Sequence, residues 1–595
     1  MAQIYPFRAL RYDSGRVRME DVVTQPYDKI SPEMQQRYYE LSPYNLIRII
    51  LGKPEPGDTD PQDFLPAGER AHNVYTRAAG YLTAWRKDGI LAEEAEPALY
   101  GYSQTYTIPS FAADPPSPNL SSRPKAERSE DEVEGPASSS SINLLSRPER
   151  REVEGPASQT RERRGFIALG HLYDYADKVV YRHEQTFPKH KSDRLALFKA
   201  TRAFCEQIYM LYSDPAFTAE KLIFGAGPDG QAHTAPDLTI TDEYNVIHRV
   251  WRLTDPSLIN LIVTAMADKK LIIADGHHRY ETSVAYARER SAQLNLPFGH
   301  RSDENDESPS NLVDSDPRPQ LPSPAFPEAA MMMTFVNMDA PGITILPTHR
   351  VVTGLPGTIT GTLGEERGFS SADFLTRASA LYTITNLRTP NTEATAASSP
   401  AVLTEAPPSP TVLSTGAPPS SAVLSTEAER SGEIPSLGQP TQLPPAGTPP
   451  ALPTEPTAHT LLATLNRTPG HAFVVVTVDG NYLLTPKPEA VAPLLAQISP
   501  KQRQLEVAEL HTVLLDHLLG LSPDKIKATG NIRYLRDPAE AMALVQTGTA
   551  DLAFLIKPIT LDQLKDISLS GDVMPQKSTD FYPKLLSGLA IYALD

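Results

Sequence analysis

Cysteine is almost absent. Cys205 stands alone, so the chain can form no internal disulfide and offers no cysteine pair for a structural zinc or an iron–sulfur cluster. Long apolar runs are absent too. No stretch of 18 apolar residues occurs, and the opening MAQIYPFRALRYD carries charges where a secretory signal needs an apolar run. A basic excess is also missing: 55 Lys and Arg face 72 Asp and Glu, a formal charge of −17, which opposes whole-surface attraction to nucleic acid or an anionic membrane. The expectation is a soluble, cytoplasmic protein with neither a membrane nor a nucleic-acid partner.

What is plentiful is proline, 57 in 595 residues, roughly double the usual share. It concentrates in segments that lack the apolar surface to offset chain entropy. One runs from 110 to 162 and holds a near-duplicate, Glu132–Ser138 and Glu152–Ser158. A second, 298–327, is rich in Asp, Ser and Pro. The third, 390–456, has 14 prolines between Pro400 and Pro456 and one basic side chain, Arg430. All three read as disordered insertions. Closing a long flexible loop costs only about 2 kcal/mol more than closing a short one, so the flanking pieces 1–109, 163–297, 328–389 and 457–595 read as parts of one folded core. Protein partners of the Pro-rich tract are left open.

Inside those pieces both helix and strand periods appear. Ala71, Val74, Tyr75, Ala78, Leu82 and Trp85 recur at helical spacing and stop at Gly89. A second helix is expected from Ser192-Asp193 through Leu195, Phe198, Cys205, Ile208 and Tyr212, which makes Cys205 a core residue. A third opens at Thr254-Asp255-Pro256 and turns Leu258, Leu261, Ile262, Ala265 and Met266 inward. A strand, Lys270–Ala274, follows. Residues Ala472–Val478 and Tyr482–Leu484 flank Asp479-Gly480-Asn481 as a hairpin, and a helix covers Leu505–Leu519. The mixture predicts an α/β or α+β protein.

The most informative string is Leu271–Ala287. A short apolar strand ends at Asp275-Gly276 and a helical pattern begins, which puts His277, His278 and Arg279 at a helix N-terminus. Free backbone N–H groups and the helix dipole favour an anion there, and Arg279 would add a two-pronged phosphate contact. Asp275 would suit Mg²⁺ coordination or hydroxyl activation, and a neutral imidazole of His277 or His278 would relay a proton. The bland alternative is a simple helix cap.

Other strings are ambiguous between chemistry and connection. Arg182, His183, Glu184, Lys189, His190, Lys191 and Arg194 form a basic concentration before a helix. His183-Glu184-Gln185-Thr186-Phe187 starts like a zinc-protease motif but lacks its second histidine, which rules that chemistry out. Gly225–Gly230 has the G-x-G-x-x-G spacing without the strand-turn-helix context a dinucleotide site requires, and no P-loop is present. Pro347-Thr348-His349-Arg350 and Met574–Lys584, with Lys577, Ser578 and Thr579, would suit anion contacts. Tyr27-Asp28 precedes another helix start.

Taken in order, Pro6–Ala9, Gln25–Asp28, His183-Glu184, Ala274–Tyr280, Pro347–Arg350 and Met574–Thr579 resemble the bacterial domain-of-unknown-function family 1015. That family is similar to the ParB/sulfiredoxin-like superfamily. The resemblance implies a ParB/sulfiredoxin-like core with additional mixed sheet and helices. Its enzymatic parallel is free L-serine kinase, which phosphorylates the amino acid with ADP or ATP and Mg²⁺. Those kinases carry an Asp-Gly-His-Thr-Arg string; Asp275, Gly276, His277 and Arg279 match it, while His278 replaces the threonine. The resemblance implies a nucleotide-dependent phosphotransferase acting on a small hydroxyl metabolite. Asp275, His277, His278, Glu184 and Asp28 are the catalytic candidates and Asp275 the metal ligand. Gly276, Arg279, Lys189, His183, His349, Arg350 and Lys577 are the phosphate or nucleotide contacts. The alternatives are a non-catalytic nucleotide-responsive regulator and, against the charge balance, a ParB-like DNA-binding protein.

Overall fold

The structure is a computed structural model. It describes residues 2–59, 71–109, 159–184, 188–225, 235–298, 320–355, 369–387 and 456–595. The insertions expected at 110–162, 298–327 and 390–456 lie outside the described residues except at their ends. Residues Met1–Leu387 together with Thr457–Asp595 form one compact unit, and a second unit, Arg388–Pro456, lies almost wholly outside the description.

A larger mixed sheet and a smaller antiparallel one organise the first unit. In chain order the strands of the larger sheet are β1 (Ile4–Tyr5), β2 (Leu99–Thr107), β3 (Thr160–His171), β4 (Val180–Tyr181), β5 (Ile208–Tyr212), β6 (Leu238–Thr241), β7 (Ile247–Leu253), β8 (Leu271–Asp275) and β9 (Ala330–Asn337). They run in the order β4-β8-β5-β9-β3-β2-β7-β6, with β1 also paired to β3. The β4–β8 and β5–β9 pairs are parallel and the others antiparallel. β5 and β9 are buried at every residue, as central strands covered on both faces must be.

The smaller sheet contains β10 (His349–Val352), β11 (Tyr382–Asn386), β12 (Phe473–Thr477), β13 (Gly480–Pro486), β14 (Ile532–Leu535) and β15 (Leu552–Leu555), ordered β11-β13-β12-β15-β10-β14. Alternation along its inner strands serves two cores. Phe473, Val475, Leu552 and Phe554 join the main cluster, which continues into the larger sheet. Val474, Val476, Ala553 and Leu555 face a second cluster. Because successive strand side chains point to opposite faces, a continuous apolar run such as Val474-Val475-Val476 fills both. The hairpin expected at 472–484 is present, with Thr477 opposite Gly480.

Helices follow their caps. α1 (Val74–Lys87) starts at a capping box on Asn73, packs Ala78, Leu82 and Trp85, and is followed by Gly89 at φ 70°. α2 (Pro188–Thr201) ends earlier than its periodicity implied. Arg202 adopts φ 52°, and Ile208–Tyr212, an apolar and aromatic run, enters the larger sheet as β5 instead of continuing the helix. Cys205 is buried as expected, and burial pushes its thiol up to about 12. α3 (Pro256–Met266) is capped by Asp255 but buries Ile259, Ile262 and Met266, leaving Leu261 56% exposed. The inward face is rotated from the expected one. α4 (His277–Leu294) follows β8 directly. No helix among the described residues is long and apolar enough to cross a membrane.

The expected helix at 505–519 exists in altered form: Glu506–Glu509 is α-helical and Leu510–Leu518 is a π-helix, the wide i→i+5 form that is rare at this length. Glu509, almost fully buried, holds the junction. It accepts from the Tyr382 hydroxyl at 2.9 Å and meets His471 Nδ1 at 2.6 Å. Burial alone would lower the His471 pKa, but the hydrogen bond and charge of Glu509 raise it. His471→Gln is therefore expected to cost about 2 kcal/mol, measured by urea unfolding. A raised folded pKa gives stability that is complete below the unfolded value of about 6.5 and disappears as pH climbs through the folded value. The gap between wild type and variant should shrink on that alkaline side.

Candidate functional site

The C-terminal end of β8 runs straight into α4 through Gly276, whose φ of 97° lies in the left-handed region. A Cβ there would stand 3.1 Å from Arg279 Nη2 and 3.2 Å from Cζ. Only glycine both makes the turn and lets the guanidinium lie beneath it. The first turn of this 18-residue helix opens on a cleft of about 530 Å³, where free backbone N–H groups and the helix dipole favour negative charge.

The cleft brings together residues hundreds of positions apart: Asp28, Glu184, Asp275, Gly276, His277, His278, Arg279 and Lys577 all line it. Lys577, exposed, sits at φ 55°. Glu184 Oε1 accepts from the Ser578 N–H at 3.1 Å and the Thr579 hydroxyl at 3.4 Å, and the Met574 N–H donates to the His183 carbonyl at 2.7 Å. These contacts clamp the 574–579 segment across the cleft.

Asp275 is held by two cations, Arg279 Nη2 at 3.3 Å and Lys584 Nζ at 3.6 Å. Burial would raise its carboxyl, but Lys584, Arg279, Lys29 and Lys577 overcome that and hold it well below the usual carboxylate range. Lys584 also meets Asp580 at 3.0 Å. Burial opposes its charge, and Asp275 and Asp580 more than restore it, so its pKa is raised. Asp580 is tied in turn to Arg536 Nη2 at 3.0 Å. Lys29 is displaced the other way, lowered first by Lys584 and then by burial.

Several expected roles need correction. Arg279 lines the cleft but is only 4% exposed, and it donates to the Gln207 carbonyl and to Asp275, bonds that buttress the turn from beneath. His183 is fully buried, its Nε2 at 2.8 Å from Thr579 Oγ1 and its ring edge-on to His277 at 4.6 Å. Burial lowers both imidazoles, and their mutual repulsion adds to the effect on His277, so both are neutral. His278 is the less enclosed imidazole on the cleft. His349 and Arg350 are wholly buried and do not line the cleft. Arg350 reaches the Gln576 and Lys577 carbonyls at 3.4 and 3.2 Å, so it acts on the loop and not on a ligand. Lys189 lies in α2, its side chain outside the described residues.

Lys29, Lys584 and Asp580 were not singled out from the sequence. A lysine beside Asp28 and one at the end of a polar string carry no signal until the fold places both at Asp275. Among the described residues no group of three or more His, Cys, Asp or Glu side chains is arranged to hold a metal ion.

These features define a mixed α/β protein with a charged cleft at a strand-to-helix junction. The chain belongs to the family of proteins of unknown function DUF1015, whose model matches residues 4–112 and 150–508. No curated protein matches it in sequence. Among solved structures, a free serine kinase in complex with AMP is 10% identical, with 68% of this chain and 83% of that one covered and a TM-score of 0.26. A conserved hypothetical protein from Pyrococcus furiosus is 9% identical, with coverage of 68% and 89% and a TM-score of 0.26. SbnI with C-terminal truncation from Staphylococcus aureus is 8% identical, with coverage of 71% and 85% and a TM-score of 0.26.

Replacing Lys584 with methionine leaves Asp275 and Asp580 without a shared cation and is expected to cost about 3 kcal/mol at neutral pH. Both carboxyls are depressed in the folded state, so their contribution is present above the unfolded value of about 3.9 and is lost as pH falls through the folded values. Urea unfolding should show the deficit of Lys584→Met shrinking below about pH 4.

Proposed function

We propose that the protein is a nucleotide-dependent phosphotransferase acting on a small hydroxyl metabolite such as free serine, with ADP or ATP and Mg²⁺. One observation carries this reading: the Asp275-Gly276-His277-His278-Arg279 turn, which resembles the kinases' Asp-Gly-His-Thr-Arg string, opens α4 onto the cleft lined by Lys577. The amides of the helix start and Lys577 hold phosphate oxygens. Mg²⁺, when present, neutralises charge on the transferring group, and Asp28, Glu184 and Asp275 are the carboxylates available to it.

The substrate hydroxyl oxygen attacks the terminal phosphorus, the bond from that phosphorus to the bridging oxygen breaks, and AMP leaves from ADP or ADP leaves from ATP. The hydroxyl proton passes to a carboxylate. Asp275 is a poor acceptor, since its carboxyl is held far below neutral pH and a general base works best with a pKa near the operating pH. Asp28 and Glu184 are the other carboxylates on the cleft and take that role by position, and Asp275 orients the hydroxyl or the metal. His278 assists as the more open imidazole.

A second reading, a non-catalytic nucleotide-responsive regulator, is favoured by the enclosure of His183, His277 and Arg279, which leaves a cleft able to hold an anion with few groups free to move protons. One experiment separates the two. The full chain is incubated with serine, Mg²⁺ and ADP or ATP, phosphoserine is followed by phosphorus NMR, and nucleotide binding is followed by calorimetry. Turnover reduced at least about a hundredfold in Asp275→Asn is the expected result. Binding without turnover across a panel of hydroxyl metabolites selects the regulator, and absence of nucleotide binding defeats both readings.

A further inference from the structure

A second cavity, about 370 Å³, lies against the π-helix and shares Gln576 with the cleft. Its size falls within the range of about 300–1,000 Å³ that small-molecule sites occupy. Ile498, Ala508, Ile526, Val573 and Met574 supply apolar walls. The i→i+5 spacing of the π-helix stacks His511 with Asp516 and sets Thr512 beside them. Among the described residues neither the Asp516 carboxylate nor the Thr512 hydroxyl has a side-chain hydrogen bond or ion pair.

The positive groups lie on the other side. Arg350, wholly buried, makes no ion pair with a described carboxylate. Its Nη2 approaches His511 Nε2 at 3.4 Å and its guanidinium lies 5.2 Å from the centre of the Tyr534 ring. Because a guanidinium only donates, His511 Nε2 accepts and Nδ1 carries the proton. Burial and Arg350 both lower the His511 pKa, so the ring remains a neutral donor. Lys527, paired with Asp524 at 3.5 Å, is a further cation on the wall. The cavity thus offers an unpaired carboxylate, an N–H donor backed by buried positive charge, a lysine, and an apolar interior.

We propose that this cavity binds a free α-amino acid with an apolar side chain: its ammonium on Asp516, its carboxylate toward His511 and Lys527, and its side chain against Ile498, Ala508 and Ile526. A simple amine would bring a second positive charge beside the buried Arg350 guanidinium, and a simple carboxylate would meet Asp516; the zwitterion satisfies both. The site stands independently of the reading given to the cleft. Its wall is nevertheless the segment that Arg350 pins through the Gln576 and Lys577 carbonyls, so an occupant bears on Lys577, and any coupling of affinities between the two sites is reciprocal.

The test is titration calorimetry of the full chain with L-leucine and L-phenylalanine, against isopentylamine and 4-methylpentanoate, which each lack one charge. The amino acids should bind with a Kd of about 1 mM or tighter and the analogues at least about tenfold more weakly. Asp516→Asn should weaken binding about tenfold or more, and Thr512→Phe, which fills the cavity, should abolish it, both with unchanged thermal midpoints. Hydrogen exchange should slow at 508–516 and 573–576. Asp275→Asn, in the cleft, should leave leucine binding intact. Absence of amino-acid binding, equal binding of an analogue, indifference to Asp516→Asn, or protection confined to the cleft would each overturn the proposal.

Discussion

Asp275 closes the last hydrogen-bonded position of β8, and its carboxylate is shared between Arg279, one turn into α4, and Lys584, near the C-terminus. Lys584 passes to Asp580, and Asp580 to Arg536. Burying one such charge alone costs several kcal/mol; an alternating row of them, each set against an opposite charge, is tolerable only when every member is in place. The row therefore does more than neutralise itself. It ties the strand-to-helix junction of the larger sheet to the 574–584 segment, and so determines where the cleft has its floor and its far wall.

The same segment explains why a polar string near the C-terminus belongs to a site built mainly from earlier parts of the chain. Its backbone bridges to Glu184 through Met574, its amide at Ser578 occupies one Glu184 oxygen, and Arg350 gathers its carbonyls from below. Three elements thus fix Lys577 in a left-handed conformation. The cost of that conformation, about 1–3 kcal/mol for a residue with a side chain, is sustained by these contacts.

Local pattern made much of the architecture legible. The Gly89 stop, the cap at Asp255, the Asp275-Gly276 junction and the 472–484 hairpin are all written in short-range signals, because capping and turn geometry need only neighbouring residues. Where the reading departed, a tertiary effect prevailed. The apolar period through Cys205, Ile208 and Tyr212 is compatible with a helix, but a left-handed Arg202 ends α2 and the central slot of the larger sheet takes the rest. Leu261 has the right spacing for a buried position on α3 and the wrong phase. The π-helical turn of Leu510–Leu518 left no mark in the periodicity.

The sequence by itself determined the family, the mixed α/β class and the placing of Asp275, Gly276 and the following histidines at a helix start, since order of motifs, apolar period and turn chemistry are properties of consecutive residues. Only the tertiary structure decided which polar side chains face the cleft and which are enclosed. His183, His349 and Arg350 turn inward and Arg279 is largely buried beneath the turn, whereas Asp28, Glu184, His278 and Lys577 line the opening. Direction and burial depend on partners such as Lys584, more than 300 positions from Asp275, and charge–charge energies depend on distance in space and on the surrounding dielectric, neither of which is carried by neighbours in the chain.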